Sequence, residues 1–391
     1  MSGELLTTEQ VAEQLGVKAA TVYAYVSRGL LSSQRNADGK GSLFAKDDVD
    51  AFVAGRRRTT TPNIQTGITL IKDGGLFYRG RDATVLAGTS SFEAVTNLLW
   101  TGELEDAAFP VNRELTSLAW AVTQPLPETA RLTDRLRVTV AAVAAADPLR
   151  FDTAPAAVVA TGRQLLATMV HTLPSRVGIP VRAMPLAEAF WYRLTATPLT
   201  DTALHSLDAA LILLADHDLA ASTLAARVAA STRAHPYAVV SAGLAALDGP
   251  LHGAASALAY PMLAEAMNGL DPVAGISDRL RSGMPVPGFG HPLYPDGDPR
   301  ATTLFDLLDD GPVRTTTLRL ADAMRTRSGI APNIDLALAA LALHHGMPAD
   351  AGEAIFAVAR TAGWLAHALE EYADRPSRFR PSGRYAGRQP A

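Results

Sequence analysis

The chain has 391 residues, 48% of them hydrophobic and 19% charged, with a net charge of −4. It is long enough for two or three domains, and too apolar and too acidic to be disordered or to form a uniformly basic nucleic-acid coat. There is no cysteine, which excludes disulfides, thiolate metal sites and thiol catalysis; the only lysines are Lys18, Lys40, Lys46 and Lys72, so beyond position 72 anions must be bound by arginine and histidine.

Thr7-Thr8-Glu9-Gln10 reads as a capping box, Val11, Ala12 and Leu15 follow at helical spacing, and Gly16 ends the helix. A second helix is expected from Ala19 to Arg28. Two short helices joined by Gly16-Val17-Lys18 have the helix-turn-helix form, in which the second helix enters a major groove. Leu30 to Phe44, with Asp38-Gly39 and Gly41, is expected to form a small hairpin or wing, and Lys46 to Val53 a short helix. Residues 18 to 46 carry five basic side chains (Lys18, Arg28, Arg35, Lys40, Lys46) against Asp38, the electrostatic footprint of a DNA reader. Lys18, Thr21, Tyr23 and Arg28 are the candidate DNA contacts. The other reading is an interaction module that keeps the fold without DNA. Arg56-Arg57-Arg58, the threonines to Thr61 and then Pro62 have no apolar periodicity, so the first domain is placed at 1–58 and a linker at 59–63.

From Ile64 the pattern changes. Ile68 to Ile71 and Leu76 to Tyr78 flank Asp73-Gly74-Gly75 as a hairpin, nearly the last strand signal. Ser90-Ser91-Phe92-Glu93 is a capping box opening a helix to Trp100 that Gly102 ends. Leu204, Leu207, Leu211 and Leu214, and again Ile355, Ala359, Ala362, Ala366 and Leu369, repeat at helical spacing, so the body is expected to be mainly α. No run reaches the ~18 apolar residues of a membrane span and Met1 to Glu4 lacks a signal-peptide pattern, so a cytoplasmic protein is expected.

Three histidines stand in unusual contexts. His252 follows a Gly-Pro bend just before a helical run, where the helix dipole would favour the neutral ring. His291 lies in a 15-residue stretch from Val286 to Arg300 with four prolines and three glycines, a costly loop of the kind kept for a site. His217 closes the Leu204 stripe in Asp216-His217-Asp218. Asp335 begins an otherwise uncharged segment, where it is either a cap, with Asn333 as the alternative, or a buried base. Arg360 shares a helix face with Trp364, His367 and Glu371, and must there pair with an acid or bind an anion.

These contexts occur in an order that resembles citrate synthase and 2-methylcitrate synthase, from about Ile64 to Gly387. The matching segments are Gly67 to Ile71 with Leu76 to Gly80, Ser91 to Glu93 with Leu98 to Leu104, Ala215 to Asp218 with Ala221 to Arg227, Gly249 to Gly253, Gly288 to His291 with Asp298 to Ala301, Pro332 to Asp335, and Ala359 to Trp364 with Ala366-His367. The N-terminal segment resembles winged helix-turn-helix domains of the MerR and excisionase type. The resemblance implies a large domain over 64–253 and 346–391, a small domain over 254–345 that closes on substrate, and a homodimer or larger. It implies that Asp335 takes a proton from the methyl group of acetyl-CoA while His252 donates to the thioester oxygen, and that His291 donates to the ketone of oxaloacetate. His217, Arg300, Arg360 and Arg380 are implied carboxylate ligands, Arg380 from across a dimer interface. Acetyl-CoA or propionyl-CoA enters as a substrate, with no cofactor and no metal. The chain departs from the family pattern at Asp218 and Ala220, at Ala254 to Ser256 and at Pro292, changes that touch ligand-binding surroundings rather than the three catalytic positions. A regulator that binds DNA and senses oxaloacetate, citrate or an acyl-CoA through the same body is the alternative function.

Overall fold

The computed structural model describes residues 5–15, 17–27, 31, 33–35, 42–50, 64–178, 181–269, 271–283, 286–379 and 387. Arg28, Lys40, the linker at 59–63 and Arg380 lie outside the described residues. The described chain forms two compact units that divide between Ile64 and Gln65.

In the first unit, strand β1 (Leu5–Thr7) leads directly into helix α1 (Thr8–Leu15), and α2 (Ala19–Ser27) follows. The expected capping box is present: Gln10 N–H donates to Thr7 Oγ1 at 3.3 Å and Thr7 N–H to Gln10 Oε1 at 2.8 Å. Strands β2 (Gln34–Arg35) and β3 (Ser42–Ala45) pair antiparallel as the wing, and residues 46–50 form helix α3. β1 adds an outer strand in the order β1-β3-β2, with Leu6 opposite Phe44. Val11, Ala12, Val22, Leu31, Phe44 and Val49 form a small core of their own with Leu6. On α2 this burial leaves Tyr23 half exposed, with Lys18 exposed just before the helix and Thr21 half-buried.

The second unit opens with β4 (Thr69–Lys72) and β5 (Gly75–Tyr78), paired antiparallel from Thr69↔Tyr78 to Lys72↔Gly75. Asp73 and Gly74 make the two-residue turn with φ of 51° and 75°, the left-handed pair a tight hairpin requires. After β6 (Arg81–Asp82) the unit is helical: α4 (Ala83–Thr89), α5 (Phe92–Thr101), α6 (Arg113–Thr123), α7 (Leu132–Ala146), α8 (Pro155–Thr172), α9 (Leu186–Leu194) and α10 (Asp201–Leu214). There follow α11 (Ala221–Ser231), α12 (Pro236–Leu247), α13 (Ala255–Met267), α14 (Pro272–Arg281), α15 (Pro299–Asp306), α16 (Pro312–Ser328), α17 (Ile334–His344) and α18 (Ala351–Ala373).

The cap of α5 differs from the sequence expectation by one residue. Ser91, not Ser90, accepts from the Ala94 N–H, and Glu93 turns away from the cap to accept the Leu186 N–H at 2.7 Å. The competing partner lies 93 residues away in sequence, beyond the reach of a local motif.

α10, α17 and α18 are apolar nearly all round and are accordingly buried nearly all round. α18 is the centre of the body. It meets the end of α10 so closely that a Cβ on Gly363 would lie 2.4 Å from the Ala215 carbonyl oxygen, to which the Gly363 N–H donates at 3.0 Å. Gly243 on α12 likewise leaves room for the Trp364 ring. Among the described residues no helix is long and apolar enough to cross a membrane.

Candidate active site

The start of α17 positions the carboxylate. Asn333 is the cap, its Oδ1 accepting the Asp335 N–H at 3.0 Å, so Asp335 is not needed for capping. Its Oδ1 is enclosed and has no hydrogen-bond partner. Burial pushes the Asp335 carboxyl up to about 7 against the pull of Arg300. Of the two readings left open by the sequence, the cap is taken by Asn333.

The proline- and glycine-rich loop is tied to this helix start. Gly290 N–H donates to Ala331 O at 2.8 Å, Asn333 N–H to Gly288 O at 2.9 Å, and Asn333 Nδ2 to Gly290 O at 2.9 Å. Gly288, at φ +86°, has its Cα against Leu336, where a Cβ would come within 2.8 Å of the Leu336 Cβ. His291 is therefore held by a braced loop. At the loop's end Asp298 caps α15 and binds the buried Arg300 through two parallel hydrogen bonds of 2.9 and 2.8 Å. Its Oδ2 also accepts the Ile334 N–H at 3.0 Å, so one carboxylate fixes both the arginine and the head of α17. Arg300 and this backbone N–H hold Asp298 ionised, its carboxyl below the usual range, and Asp298 in turn raises Arg300.

The three singled-out histidines converge on the same region and all are shifted toward the neutral ring. His217, buried after α10, is held well below the ordinary histidine value by burial and then by Arg300 and Arg360. Its ring meets that of His291 edge-on at 5.2 Å, and its Nε2 lies 3.0 Å from the Tyr294 hydroxyl. His291 is lowered by burial and by Arg300, and its Nδ1 accepts the Leu293 N–H at 3.2 Å, which places the proton on Nε2. His252 is pushed down to about 4, first by burial and then by Arg360. α13 opens only at Ala255, and burial with Arg360 supplies the shift that the sequence assigned to a helix end. His252 Nε2 lies 2.7 Å from Ser222 Oγ and 3.4 Å from the Ser222 N–H, and its ring stands on the Phe356 edge at 5.6 Å. A backbone N–H can only donate, so Nε2 accepts and the proton sits on Nδ1.

Arg360 lies over the Phe356 ring at 4.6 Å, one turn along α18. Its Nε donates to Leu214 O at 2.8 Å, while Nη1 and Nη2 are buried and have no hydrogen-bond partner. Burial lowers even this guanidinium, to about 10. Among the described residues no acid makes a contact ion pair with Arg360; Asp216 acts on it only through space, and that does not offset the burial. His367 and Glu371, on the same helix face, serve another arginine. Arg227 donates from Nε to Glu371 and from Nη1 to Glu370, with His367 Nδ1 beside it. His367 Nε2 lies 3.2 Å from Asp216 Oδ2, which also accepts the Thr69 hydroxyl at 2.6 Å. Arg378 closes the far end by donating from Nε to Glu371 Oε2 at 2.8 Å.

The structure thus brings together His217, His252, His291, Arg300, Asp335 and Arg360, with each acting electrostatically on at least one other. Sequence reasoning passed over Tyr294, Ser222 and Asp298. Asp298 stood in a cap-like Asp-Pro pair that could have been read, whereas Ser222 and Tyr294 carry no local signal. Among the described residues no group of three or more histidine, aspartate or glutamate side chains is placed to hold a metal ion.

Residues 58–382 match the family model for citrate synthase, C-terminal domain, and residues 5–57 match a helix-turn-helix domain model. A citrate synthase of Haloferax volcanii is 32% identical over 342 residues, covering 80% of this chain and 90% of that protein. The 2-methylcitrate synthase 2 of Corynebacterium glutamicum is 29% identical, covering 80% and 89%. Among solved structures, citrate synthase from Thermotoga maritima MSB8 superposes with a TM-score of 0.69 at 26% identity, covering 85% of this chain and 95% of that one. Citrate synthase from Thermoplasma acidophilum, solved with carboxymethyl coenzyme A and oxaloacetate, shares the fold with a TM-score of 0.69 at 24% identity.

Proposed function

The chain belongs to the citrate synthase family, and from that membership we propose that it condenses acetyl-CoA or propionyl-CoA with oxaloacetate, releasing CoA. The observation that carries the substrate assignment is Arg360, whose two buried, unpartnered Nη groups call for an anion that can accept from both. A carboxylate of oxaloacetate fits that fork. Arg300, already oriented by Asp298, offers its remaining N–H groups to the same dicarboxylate, and His217 completes the described set. Arg380 of a second copy is the further ligand in a homodimer.

The chemistry then divides among three residues. Asp335 takes a proton from the carbon next to the thioester carbonyl, a task suited to a carboxylate whose basicity burial has raised. His252 gives a hydrogen bond from Nδ1 to the thioester oxygen as negative charge gathers there. It is neutral, so it polarises that oxygen as a donor whose orientation Ser222 fixes. His291 donates from Nε2 to the ketone oxygen of oxaloacetate while the new carbon–carbon bond forms. Water then cleaves the citryl or methylcitryl thioester, giving the tricarboxylate and free CoA. No cofactor is needed beyond the thioester itself. Release of free thiol from acetyl-CoA and from propionyl-CoA in the presence of oxaloacetate tests the proposal, and full-length protein that turns over neither would overturn it. The ratio of the two kcat/KM values assigns the acyl preference.

A second activity is favoured by the first unit, which sets Lys18 exposed just before α2 and Tyr23 exposed at the middle of α2 within a helix-turn-helix fold. We propose that residues 1–58 bind duplex DNA through Lys18, Thr21, Tyr23 and Arg28, with a dimeric body supplying two such units to a palindromic site. A gel shift that disappears with Arg28→Ala is expected. Absence of any shift at low salt would leave this unit as an interaction module.

A further inference from the structure

Tyr294 has no part in the chemistry above, yet it touches three of the groups proposed to hold and activate oxaloacetate. It is buried, with its hydroxyl 3.0 Å from His217 Nε2, its ring tilted 35° against the His291 ring at 4.9 Å, and the Arg300 guanidinium 5.4 Å over its face. A neutral imidazole has one N–H and one lone pair. An anionic dicarboxylate only accepts hydrogen bonds, so a histidine that helps bind it must turn its N–H toward it. His217 has Nε2 occupied by the phenol, which leaves Nδ1 as the atom that can serve. If Nε2 carried the proton and donated to the phenol oxygen, Nδ1 would face the substrate with a lone pair and repel it. The phenol is itself kept protonated, since burial raises it to about 12.

We propose that Tyr294 is a positioning residue that donates its hydroxyl proton to His217 Nε2, fixing His217 as the Nδ1–H tautomer that can hydrogen-bond oxaloacetate, while its ring sets the angle of His291. The proposal rests on the condensation reading for the identity of the anion, but the tautomer is a property of the protein alone.

Two variants separate the two contacts. Tyr294→Phe keeps the ring and removes the hydroxyl; it is expected to raise the KM for oxaloacetate about tenfold or more, leaving a buried ring nitrogen without its donor, with kcat changed less than about threefold. Tyr294→Leu also removes the ring from His291 and is expected to lower kcat in addition, by about tenfold. The direct readout is nitrogen NMR of full-length protein labelled with 15N-histidine at pH 8, with the His217 signals identified by their loss in His217→Gln. The wild-type protein is expected to show a protonated Nδ1 and a hydrogen-bonded, unprotonated Nε2, and Tyr294→Phe to shift the proton toward Nε2. A wild-type His217 protonated on Nε2, or a Tyr294→Phe protein with unchanged tautomer and unchanged KM for oxaloacetate, would overturn the proposal. A wild-type protein that releases no thiol would overturn the condensation reading instead, and the NMR result would still decide the role of Tyr294.

Discussion

Asp335 has an ordinary value of 3.8 and is raised to about 7 in the fold, so the folded protein binds this proton more tightly than the unfolded chain does. The sign follows: between about pH 4 and 7 the folded state holds the extra proton, and stability falls as pH rises through that window. The ionised base appears over the same rise. Asp335→Asn is therefore expected to lose turnover by about 10²–10⁴-fold while gaining about 1–3 kcal/mol of stability at pH 8, the gain vanishing near pH 4. Urea unfolding at the two pH values measures it, and kcat/KM of the wild type should climb through pH 7. Arg360 offers the parallel case. Arg360→Met removes a desolvated cation, so the substrate-free protein should melt no lower than the wild type, yet oxaloacetate should no longer raise its melting temperature. For the wild type, ligand at a hundred times its Kd adds about 2.7 kcal/mol, several degrees in a thermal melt. At this scale the sequence allowed candidate residues to be named, but not their alternative roles to be chosen between. Asp335 as cap and Asp335 as base differ only in whether Asn333, two positions earlier, takes the Asp335 N–H. Arg360 as half of an ion pair and Arg360 as anion ligand differ in whether Glu371 belongs to Arg227 and whether Asp216 turns to Thr69 and His367.

Elements with their own chemistry were readable in advance. The Asp73-Gly74 hairpin, the α1 cap and the leucine stripe of α10 are local patterns, enforced by turn geometry, an orphan N–H and burial at helical spacing. β1 was not, because three residues ending at a helix cap give no alternation to detect; its pairing with β3 depends on a partner some 40 residues away. The stretch from Val286 to Arg300 stood out by its prolines and glycines, but the hydrogen bonds that tie it to the head of α17 left no mark in the sequence. Close crossings are equally silent in sequence. A methyl group on Gly363 would lie 2.4 Å from both the Ala215 carbonyl oxygen and Asp216 Oδ1, and the first of these is backbone that cannot swing aside. Gly363→Ala is therefore expected to cost more than about 3 kcal/mol, seen as a lower denaturant midpoint with unchanged m-value, where Gly88→Ala, with nothing near its Cβ, should cost almost nothing.

For the whole molecule, composition already divided the chain: three of four lysines lie before residue 58, while the body relies on arginine. The structure gives each part its own core. A protein beginning at Gln65 is thus expected to retain thiol release within about threefold and to lose any gel shift, with a circular-dichroism melt as the check that it folds. What the sequence could not order is the meeting of Ser222 with His252 and of His217 with Tyr294, contacts spanning 30 and 77 residues that exist only once the helices are packed. α18 sets much of that packing. Along one helix of 23 residues it presents Phe356 to His252, Arg360 to the end of α10, Gly363 and Trp364 to their crossings, His367 to Asp216 and Glu371 to two arginines. Inserting a single residue between Arg360 and His367 would turn everything beyond it by about 100° and advance it by about 1.5 Å, swinging every later contact off its partner at once. Across this stretch the spacing is held as tightly as the residues themselves.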